Sequence, residues 1–410
     1  MYFIKNIHIN KLFHLENFDI PIADAKYPHL IITGKNGSGK TVLLNAIADF
    51  FNIVKNKKNL SFLSYSAKLK ELSKSLLSIR DKNEEMKVKE VLNNYSNLAE
   101  ELYGRVDVQF NDIGNILEKY NEQDFIFAFY QADRKVKMSE PQNPTKPQYN
   151  KKGNVKDTAT GQFLNFLSDL KIQEALARNE NQYDDAGIIN AWFVDFETLL
   201  QHIYQDDKLK LEFNYKDYSF KICTEGKKFK FTQLSDGFAA VLDIVADLIL
   251  KMQDDKSLTR AYQKIGIVLI DEIETHLHLE LQRIIMPFLT KTFPNIQFIV
   301  TTHSPFVLNS MPDAVAFDLE HRKVLDNLTE YSYESLAEGY FGVRTPSSYA
   351  EMQLETLKSL LEKELWTDAD KVEIRQLKSE FEKISETASP MIVGGFRQMM
   401  IQNADKLKNL

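Results

Sequence analysis

The strongest chemical signal in the sequence is a glycine-rich stretch that ends in a lysine and a threonine. The stretch from Gly34 to Thr41 fits the pattern G-x-x-x-x-G-K-[ST] and lies between a predicted strand and a predicted helix. Its backbone N–H groups can face phosphate oxygens, and the following helix adds its positive N-terminal end. Lys40 would neutralise the β- and γ-phosphates of a nucleotide, and the Thr41 hydroxyl would bind Mg²⁺. The residues predicted to hold the nucleotide are Gly34, Asn36, Gly37, Ser38, Gly39, Lys40 and Thr41.

Two adjacent carboxylates follow a strand-like run in the second half of the chain. The run from Ile265 to Ile270 is almost continuously apolar, and Asp271 and Glu272 come directly after it. This places two acids at the carboxyl edge of a parallel sheet, where α/β proteins bind nucleotides. Asp271 would hold Mg²⁺ through water, and Glu272 would orient or deprotonate the water that attacks the phosphate. Two acids that merely cap a strand are the alternative, which the phosphate loop disfavours.

A histidine follows a third strand-like run. The run from Gln297 to Thr302 delivers His303 just past its end, and Ser304-Pro305 then stops the strand. His303 would therefore point at the γ-phosphate as a further catalytic residue. A hydrogen-bonded structural histidine is the alternative at such a position. The acid pair that precedes it along the chain favours the catalytic interpretation.

The chain pattern supplies the sheet and helices that these residues need. Apolar runs predict strands before the phosphate loop, and a helix follows it from Val42 to Phe51. From Lys55 to Glu90, ten Lys or Arg stand against five Asp or Glu and leucines recur at helical spacing, which predicts an inserted helical arm. Prolines predict an exposed loop from Pro141 to Val155. The predicted domains are 1–54, the N-terminal part of the core; 55–103, the arm; 104–232, the continuing core with a helical subdomain; 233–330, the C-terminal part of the core; and 331–410, a helical region.

Composition limits the classes of function. Of 410 residues, 43% are hydrophobic, which allows a large core in two or three structural units. A net charge of -7 does not favour general binding to nucleic acid, so a DNA contact would need a local basic patch such as the arm. The single cysteine, Cys223, predicts strand packing and no disulfide or metal site. Since no run approaches the ~20 apolar residues of a membrane span, the sequence predicts a cytoplasmic protein.

Four motifs together resemble those of ABC-type ATPases in their order and approximate spacing. They are the phosphate loop, the segment Leu234 to Phe238, the Asp271-Glu272 pair, and Thr302-His303. The resemblance is closest to the branch with SMC and RecF proteins, the ATPases of overcoming-lysogenization-defect nucleases and related bacterial antiphage systems. It implies an α/β fold, a P-loop NTPase of the ABC-type ATPase head with a mixed sheet and flanking helices, here with an inserted helical arm and a helical C-terminal region. It covers roughly 1–52, 104–135 and 228–320.

The resemblance also assigns the segment Leu234 to Phe238, which we call the signature segment. In the family such a segment contacts the γ-phosphate of ATP held by the opposing subunit, which assigns Ser235 and Gly237 to the nucleotide. Asp236 and Phe238 replace the Gly and Gln of the transporter form, which favours the soluble branch. A helix cap, with a side-chain oxygen of Ser235 or Asp236 accepting backbone N–H bonds, is a second interpretation that is compatible with the first.

Three further assignments stay open at this level. Gln131, after the strand-like run from Phe125 to Tyr130, resembles the family glutamine that senses Mg²⁺, but Gln109 also ends a strand-like run and competes with it. Asp133-Arg134 is compatible with lining the site and with a solvated charge pair. The segment from Glu272 to His278 resembles the D-loop of the same branch. A zinc site at His276 and His278 is disfavoured, because no third ligand lies nearby in the sequence.

The resemblance implies an ATPase that uses ATP and Mg²⁺ and forms a homodimer or a higher homo-oligomer through its ATP sites. Since the sequence shows no second catalytic domain, we expect a separately encoded effector such as a nuclease, in bacterial antiphage defence or DNA repair. Asp368-Ala369-Asp370 has the spacing of a nuclease acid pair, but its context predicts a helix cap. An ATPase subunit that docks on a membrane partner, and an ATP-binding assembly module with little turnover, are the alternatives.

Overall fold

The computed structural model describes residues 3–22, 29–56, 65–76, 82–134, 138–141, 154–253, 264–325, 328, 331, 333, 335–336, 348–384 and 390–407. The chain divides into two compact units, Met1–Tyr331 and Ser332–Leu410. Most of the predicted loop from Pro141 to Val155, and parts of the predicted arm, lie outside the described residues.

Strands and helices alternate along the first unit, and helices make up the second. The strands are β1 (Ile4–Leu12), β2 (Leu15–Pro21), β3 (Leu30–Thr33), β4 (Val106–Phe110), β5 (Phe125–Tyr130), β6 (Lys210–Asn214), β7 (Ser219–Thr224), β8 (Lys227–Lys230), β9 (Ile265–Ile270), β10 (Ile296–Thr301), β11 (Val315–Asp318) and β12 (Lys323–Leu325). The helices are α1 (Lys40–Asn56), α2 (Tyr65–Leu76), α3 (Lys82–Tyr103), α4 (Ile113–Asn121), α5 (Phe163–Asn179), α6 (Tyr183–Tyr204), α7 (Asp236–Met252), α8 (Leu279–Thr292), α9 (Pro305–Leu308), α10 (Ser348–Glu362), α11 (Asp368–Phe381), α12 (Pro390–Gln402) and α13 (Ala404–Leu407).

The central sheet has six strands in the order β12-β11-β3-β10-β9-β5. Strands β11, β3, β10, β9 and β5 are parallel to their neighbours in this series, and β12 pairs antiparallel with β11. Every residue of β3, β5 and β10 is buried, because helices or the second sheet cover both faces. This explains why these strands read as mostly apolar runs. The parallel arrangement brings the carboxyl ends of β3, β10, β9 and β5 to one edge.

Helix α1 covers one face of the central sheet, and helix α7 covers the other. On one face Phe51 of α1 stacks on Phe127 of β5, with ring centroids 3.8 Å apart. On the other face the Tyr130 hydroxyl of β5 donates a hydrogen bond of 2.6 Å to Asp247 of α7. Successive side chains of a strand point to opposite faces, so α1 and α7 sandwich the sheet.

An antiparallel sheet of the order β2-β1-β4 lies beside the phosphate-loop helix. Its apolar residues join α1 and the central strands in one core cluster. The two sheets are tied by Gln297 of β10, whose side-chain oxygen accepts from Ile4 N at 2.8 Å and whose side-chain nitrogen donates to Ile4 O at 2.9 Å. The buried amide thus satisfies both backbone polar groups of Ile4.

Strands β6, β7 and β8 form a small antiparallel meander. The sequence predicts strands over Lys210–Tyr215, Tyr218–Cys223 and Lys228–Thr232, but β8 ends at Lys230 and Phe231–Gln233 forms a 3₁₀ turn. The Gln233 side chain accepts a hydrogen bond of 2.9 Å from Lys230 N, and Phe231 is buried. This turn ends the meander and leads directly into the signature segment.

The second unit has its own apolar core, formed among α10, α11 and α12. Helix α11 begins with a capping box, in which the Thr367 side chain accepts from Asp370 N and the Asp370 side chain accepts from Thr367 N. The prediction that Asp368-Ala369-Asp370 starts a helix is therefore confirmed.

The predicted fold class is confirmed, since the central sheet is mixed, helices flank it, and the C-terminal region is helical. Helices α2 and α3 pack on each other within the segment predicted as the arm. Among the described residues, no helix is both long enough and apolar enough to cross a membrane.

Candidate nucleotide site

The phosphate loop leaves β3 and enters α1 through a wrapped backbone. Gly34, Gly37 and Gly39 all have positive φ, at 139°, 83° and 99°. Side chains rarely tolerate such values, which explains the need for glycine at each position. A β-carbon on Gly39 would lie 2.9 Å from the Leu15 Cδ1 atom of β2, so the antiparallel sheet also limits this position.

Lys40 is the first residue of α1, and its side chain turns back into the loop. Its ammonium donates to Gly34 O at 2.8 Å, to Lys35 O at 3.1 Å and to Ser38 Oγ at 3.4 Å. The residue is 5% exposed. Burial lowers the pKa of Lys40 to about 8, against the opposing effect of nearby carboxylates, of which Glu272 is the strongest. A phosphate group in the loop would place a further negative charge beside this buried cation.

The acid pair stands at the end of β9, next to β10. Thr301 Oγ1 donates to Asp271 Oδ1 at 2.6 Å and accepts from Glu272 N at 2.8 Å. Asp271 is buried, whereas Glu272 is half-buried and has a φ of 44°. A left-handed φ is uncommon for a residue with a side chain and marks this position as one held by its surroundings.

Glu274 connects the acid pair to the loop that carries His303. Its carboxylate accepts from Thr302 Oγ1 at 2.8 Å and from His303 N at 2.5 Å. Burial raises the pKa of Glu274, and these hydrogen bonds oppose the rise. Burial and, to a smaller extent, the charge of Lys40 lower the pKa of His303.

Arg134 lies behind the acid pair and bonds to its backbone. One guanidinium nitrogen donates to Asp271 O at 2.9 Å, and the other donates to Glu272 O at 3.1 Å and to Ile273 O at 3.5 Å. Asp133 is exposed. The interpretation of Arg134 as part of a solvated charge pair is therefore wrong, because its guanidinium donates hydrogen bonds to backbone carbonyl oxygens inside the fold.

The structure places Gln131 at the same edge and Gln109 elsewhere. Gln131 directly follows β5, whose last residue pairs with Ile270, so Gln131 stands beside Asp271. Gln109 lies in β4 of the antiparallel sheet, opposite Asn6. Gln131 is exposed, as are Asn36 and Thr41 at the mouth of the phosphate loop.

The signature segment differs from the rest of the site, because its polar side chains face solvent. Ser235 occupies the N-cap position of α7 and is exposed, and in the described part of the chain its side chain makes no capping hydrogen bond. The interpretation of Ser235 as a side-chain cap is therefore wrong. Gly237 is buried, and a β-carbon there would lie 2.8 Å from the carbonyl oxygen of His276. The start of α7 thus packs against the D-loop of its own chain.

The residues fit a nucleotide with a hard divalent cation. The phosphate loop supplies backbone donors and a buried ammonium, and the sheet edge supplies the carboxylate of Asp271, the amide of Gln131 and the hydroxyl of Thr41, which are oxygen ligands suited to Mg²⁺. Among the described residues, no group of three or more His, Cys, Asp or Glu side chains could hold a metal ion.

The sequence does not predict three sets of contacts at this edge: those of Thr301 with the acid pair, those of Glu274 with the His303 loop, and those of Arg134 with the backbone of the acid pair. Each set joins residues far apart in the chain, such as Arg134 and Asp271, which are 137 positions apart. Glu274 gave one weak signal, because an acid two residues after an acid pair belongs to the same loop. Thr301 gave none, since it is one polar residue in a strand that is otherwise mostly apolar.

Comparison with known proteins places the chain in a family. The family model described as "AAA domain, putative AbiEii toxin, Type IV TA system" matches residues 30–309. The probable ATPase of retron Vc95 from Vibrio cholerae serotype O1 biovar El Tor is 23% identical over 373 residues, covering 75% of this chain and 70% of that protein. The Septu protein PtuA of Bacillus mycoides (strain KBAB4) is 25% identical over 332 residues, covering 78% of this chain and 41% of that protein.

Among solved structures, the SMC head bound to the C-winged helix domain of ScpA aligns with 80% of this chain and 100% of that chain, at 13% identity and a TM-score of 0.40. The family match of residues 30–309 spans the phosphate loop, Gln131, the signature segment, the acid pair and His303. The resemblance that the motifs indicated is confirmed. The chain belongs to the family of this AAA domain with the description putative AbiEii toxin, and it is a P-loop ATPase similar to the probable ATPase of retron Vc95 and to the Septu protein PtuA.

Proposed function

We propose that this ATPase binds ATP with Mg²⁺ at the carboxyl edge of its central sheet, and that two copies close around the nucleotide to control a separate effector. The observation that carries the proposal is the convergence of the phosphate loop, the acid pair and the His303 loop at one sheet edge. The phosphate loop follows β3, the acid pair follows β9 and His303 follows β10, and β10 lies between β3 and β9 as a parallel neighbour of both.

Each residue of this edge has a distinct role in the proposal. Lys40 and the loop backbone hold the phosphates, and Thr41, Asp271 and Gln131 hold Mg²⁺ directly or through water. Glu272 orients or deprotonates the attacking water, and its half-buried position leaves it accessible to that water. His303 faces the γ-phosphate and donates to it, which a neutral imidazole can do through its ring N–H.

The unused polar groups of the signature segment support closure between two copies. Ser235 is exposed at the N-terminal end of the 17-residue helix α7, where unpaired backbone N–H groups and the helix dipole favour an anion. The phosphate loop of the same chain already has the ammonium of Lys40 and the N-terminal end of α1 to bind phosphate. A second copy that presents Ser235 and Gly237 to the first would complete a site that one chain leaves open.

The effector in this proposal is a separately encoded protein, such as a nuclease. Two relatives carry the names of a retron probable ATPase and of a Septu protein. Glu272→Gln, which would hold ATP without turnover, should retain the product of a neighbouring gene in an ATP-dependent pull-down. Equal retention with and without ATP would contradict control of the effector by ATP.

Mixing two inactive variants tests whether the site is shared between copies. Lys40→Ala removes the phosphate half-site and Ser235→Arg blocks the signature half-site, so each variant alone should lack ATPase activity. In a mixed dimer one site combines the intact halves of both chains, and random pairing should restore about a quarter of the wild-type rate.

The matched control mixes Lys40→Ala with Glu272→Gln. Both changes lie in the same half-site, so no pairing of these chains restores a complete site. Activity in this control, or no activity in the first mixture after subunit exchange has been verified by mass, would contradict a site shared between two copies.

A further inference from the structure

One guanidinium joins the ends of two neighbouring strands behind the candidate site. Arg134 follows β5 by four residues, and its side chain donates to three successive carbonyl oxygens after β9, those of Asp271, Glu272 and Ile273. It also donates to Gln131 O at 3.3 Å. The remaining guanidinium nitrogen, Nε, is buried and has no hydrogen-bond partner among the described residues. Among the described residues, the two terminal guanidinium nitrogens thus make the hydrogen bonds of this side chain, and every acceptor is a backbone carbonyl oxygen.

The backbone that Arg134 holds is in an unfavourable conformation. Glu272 has a φ of 44°, in the left-handed region that residues with a side chain rarely occupy. Its N–H donates to Thr301 Oγ1, and its carbonyl accepts from both Thr275 N at 2.9 Å and Arg134 at 3.1 Å. Such a conformation persists only where surrounding contacts fix it. Arg134 is the cationic member of this set, and a charged donor makes the stronger hydrogen bonds.

The two strand ends carry residues that must act together. Gln131 and Asp271 stand side by side, and Asp271 N donates to Tyr130 O at 2.8 Å. A single guanidinium on the backbone of both segments fixes the distance between the side chains that would hold Mg²⁺ and the carboxylate of Glu272. Among the described residues, every hydrogen bond of this side chain goes to a backbone carbonyl oxygen, so we expect Arg134 to act through the backbone.

We propose that Arg134 is a positioning residue for hydrolysis, which holds Glu272 in the conformation that aims its carboxylate at the attacking water. This inference rests on the role given to Glu272 under the proposed function. Arg134 acts through the backbone of the acid pair, so its loss should affect the chemical step and leave the phosphate loop, which binds ATP, in place.

The test compares steady-state kinetics of Arg134→Ala with wild type and with the control Arg105→Ala. Arg105 is exposed and contacts Asp49 at 3.5 Å, away from the acid pair. We expect kcat of Arg134→Ala to fall about 100-fold with little change in KM, because a small misplacement of a reacting group costs that much. Millimolar guanidinium should restore part of the lost kcat, and Arg105→Ala should keep wild-type kinetics with or without guanidinium.

Two results would overturn the inference: an unchanged kcat, or a loss confined to KM. A fall in kcat that guanidinium does not restore would also count against it, since a merely destabilised fold has no guanidinium-sized vacancy to fill. If Arg134→Ala does not fold, Arg134→Lys takes its place, because a single ammonium cannot reach three carbonyls and should show the same split between kcat and KM.

Glu272→Gln separates this inference from the proposed function. If Glu272→Gln hydrolyses ATP at the wild-type rate, the role of Glu272 itself fails. If Glu272→Gln is inactive while Arg134→Ala is fully active, the role of Glu272 stands and only the positioning role of Arg134 fails.

Discussion

Two regions of the molecule carry the motifs that we propose for the same reaction, but they use their polar groups in opposite ways. At the catalytic edge, which comprises residues 34–41, 271–274 and 301–303, the key groups are already bonded within the chain: Lys40 to the loop backbone, Asp271 to Thr301, and Glu274 to Thr302 and His303. In the signature segment, Ser235 and Asp236 are exposed, and the Ser235 side chain caps nothing in the described chain.

The difference teaches which part of the site one chain can organise by itself. Buried polar groups must find partners, so the catalytic edge is fixed when the sheet forms. An exposed serine at a helix N-terminus has no such requirement and stays available for a ligand. Gly237 connects the two regions, because its close approach to the His276 carbonyl ties the signature helix to the D-loop.

The largest expected effect is at the catalytic edge. Glu272→Gln keeps the shape of the side chain and removes the base, so the rate of phosphate release should fall about 10³-fold. ATP binding should persist, because Lys40 and the loop are unchanged, and mass measurements with ATP should show a longer-lived dimer. Glu280→Gln, an exposed residue in the first turn of α8, is the control and should behave as wild type.

Retained hydrolysis in Glu272→Gln would remove the functional contrast between the two regions. It would leave the catalytic edge as a binding site only and favour an ATP-dependent assembly module with little turnover.

The second effect is a pH dependence of ATP affinity at Lys40. Burial lowers the pKa of Lys40 in the free protein to about 8, and contact with phosphate should raise it again. Affinity should therefore be full below pH 8 and fall above it. The slope should approach about tenfold per pH unit, because binding then requires uptake of one proton.

Calorimetry in two buffers with different ionisation enthalpies measures this proton uptake directly. Lys40→Arg is the control, because a guanidinium stays charged throughout and its ATP affinity should not change with alkaline pH. An affinity of the wild-type protein that is constant into the alkaline range would show that Lys40 is fully charged before ATP binds.

The sequence predicts the contiguous motifs well and the contacts between distant segments poorly. The stretch Gly34–Thr41 and the pair Asp271-Glu272 are recognisable because their chemistry depends on neighbours in the chain. Apolar runs also predict the central strands, whereas the fold class follows from the family resemblance of the motifs. The strand order β12-β11-β3-β10-β9-β5 and the bonds of Arg134 depend on long-range packing, for which no local pattern exists.

The third effect concerns the glycine that joins the two regions. Gly237→Ala should destabilise the nucleotide-free protein by about 1–3 kcal/mol, because the new β-carbon would lie 2.8 Å from a backbone oxygen. Gly187→Ala in α6 is the matched control. A β-carbon there meets no atom within 4 Å, so alanine should stabilise its helix by up to about 1 kcal/mol.

Urea unfolding of both variants without nucleotide measures the difference. If Gly237→Ala is as stable as wild type, the D-loop yields easily and does not fix the start of α7. The signature segment would then be free to move relative to the catalytic edge of its own chain.

The smallest expected effect on stability is that of Ser235→Ala, which should nevertheless lose much of its ATPase activity. This combination distinguishes the signature segment from the catalytic edge. An N-cap serine that makes its hydrogen bond contributes about 1 kcal/mol, but Ser235 makes no such bond in the described chain. Ser235→Ala should therefore change the free energy of unfolding by less than about 0.5 kcal/mol. Asp112→Ala, which removes a cap that does accept from Asn115 N at 3.1 Å, should be measurably less stable than wild type in the same urea series.

If Ser235→Ala lowers stability as much as Asp112→Ala does, the hydroxyl of Ser235 stabilises its own helix. If instead its stability is unchanged while its ATPase rate falls, the hydroxyl is kept for a ligand that its own chain does not position.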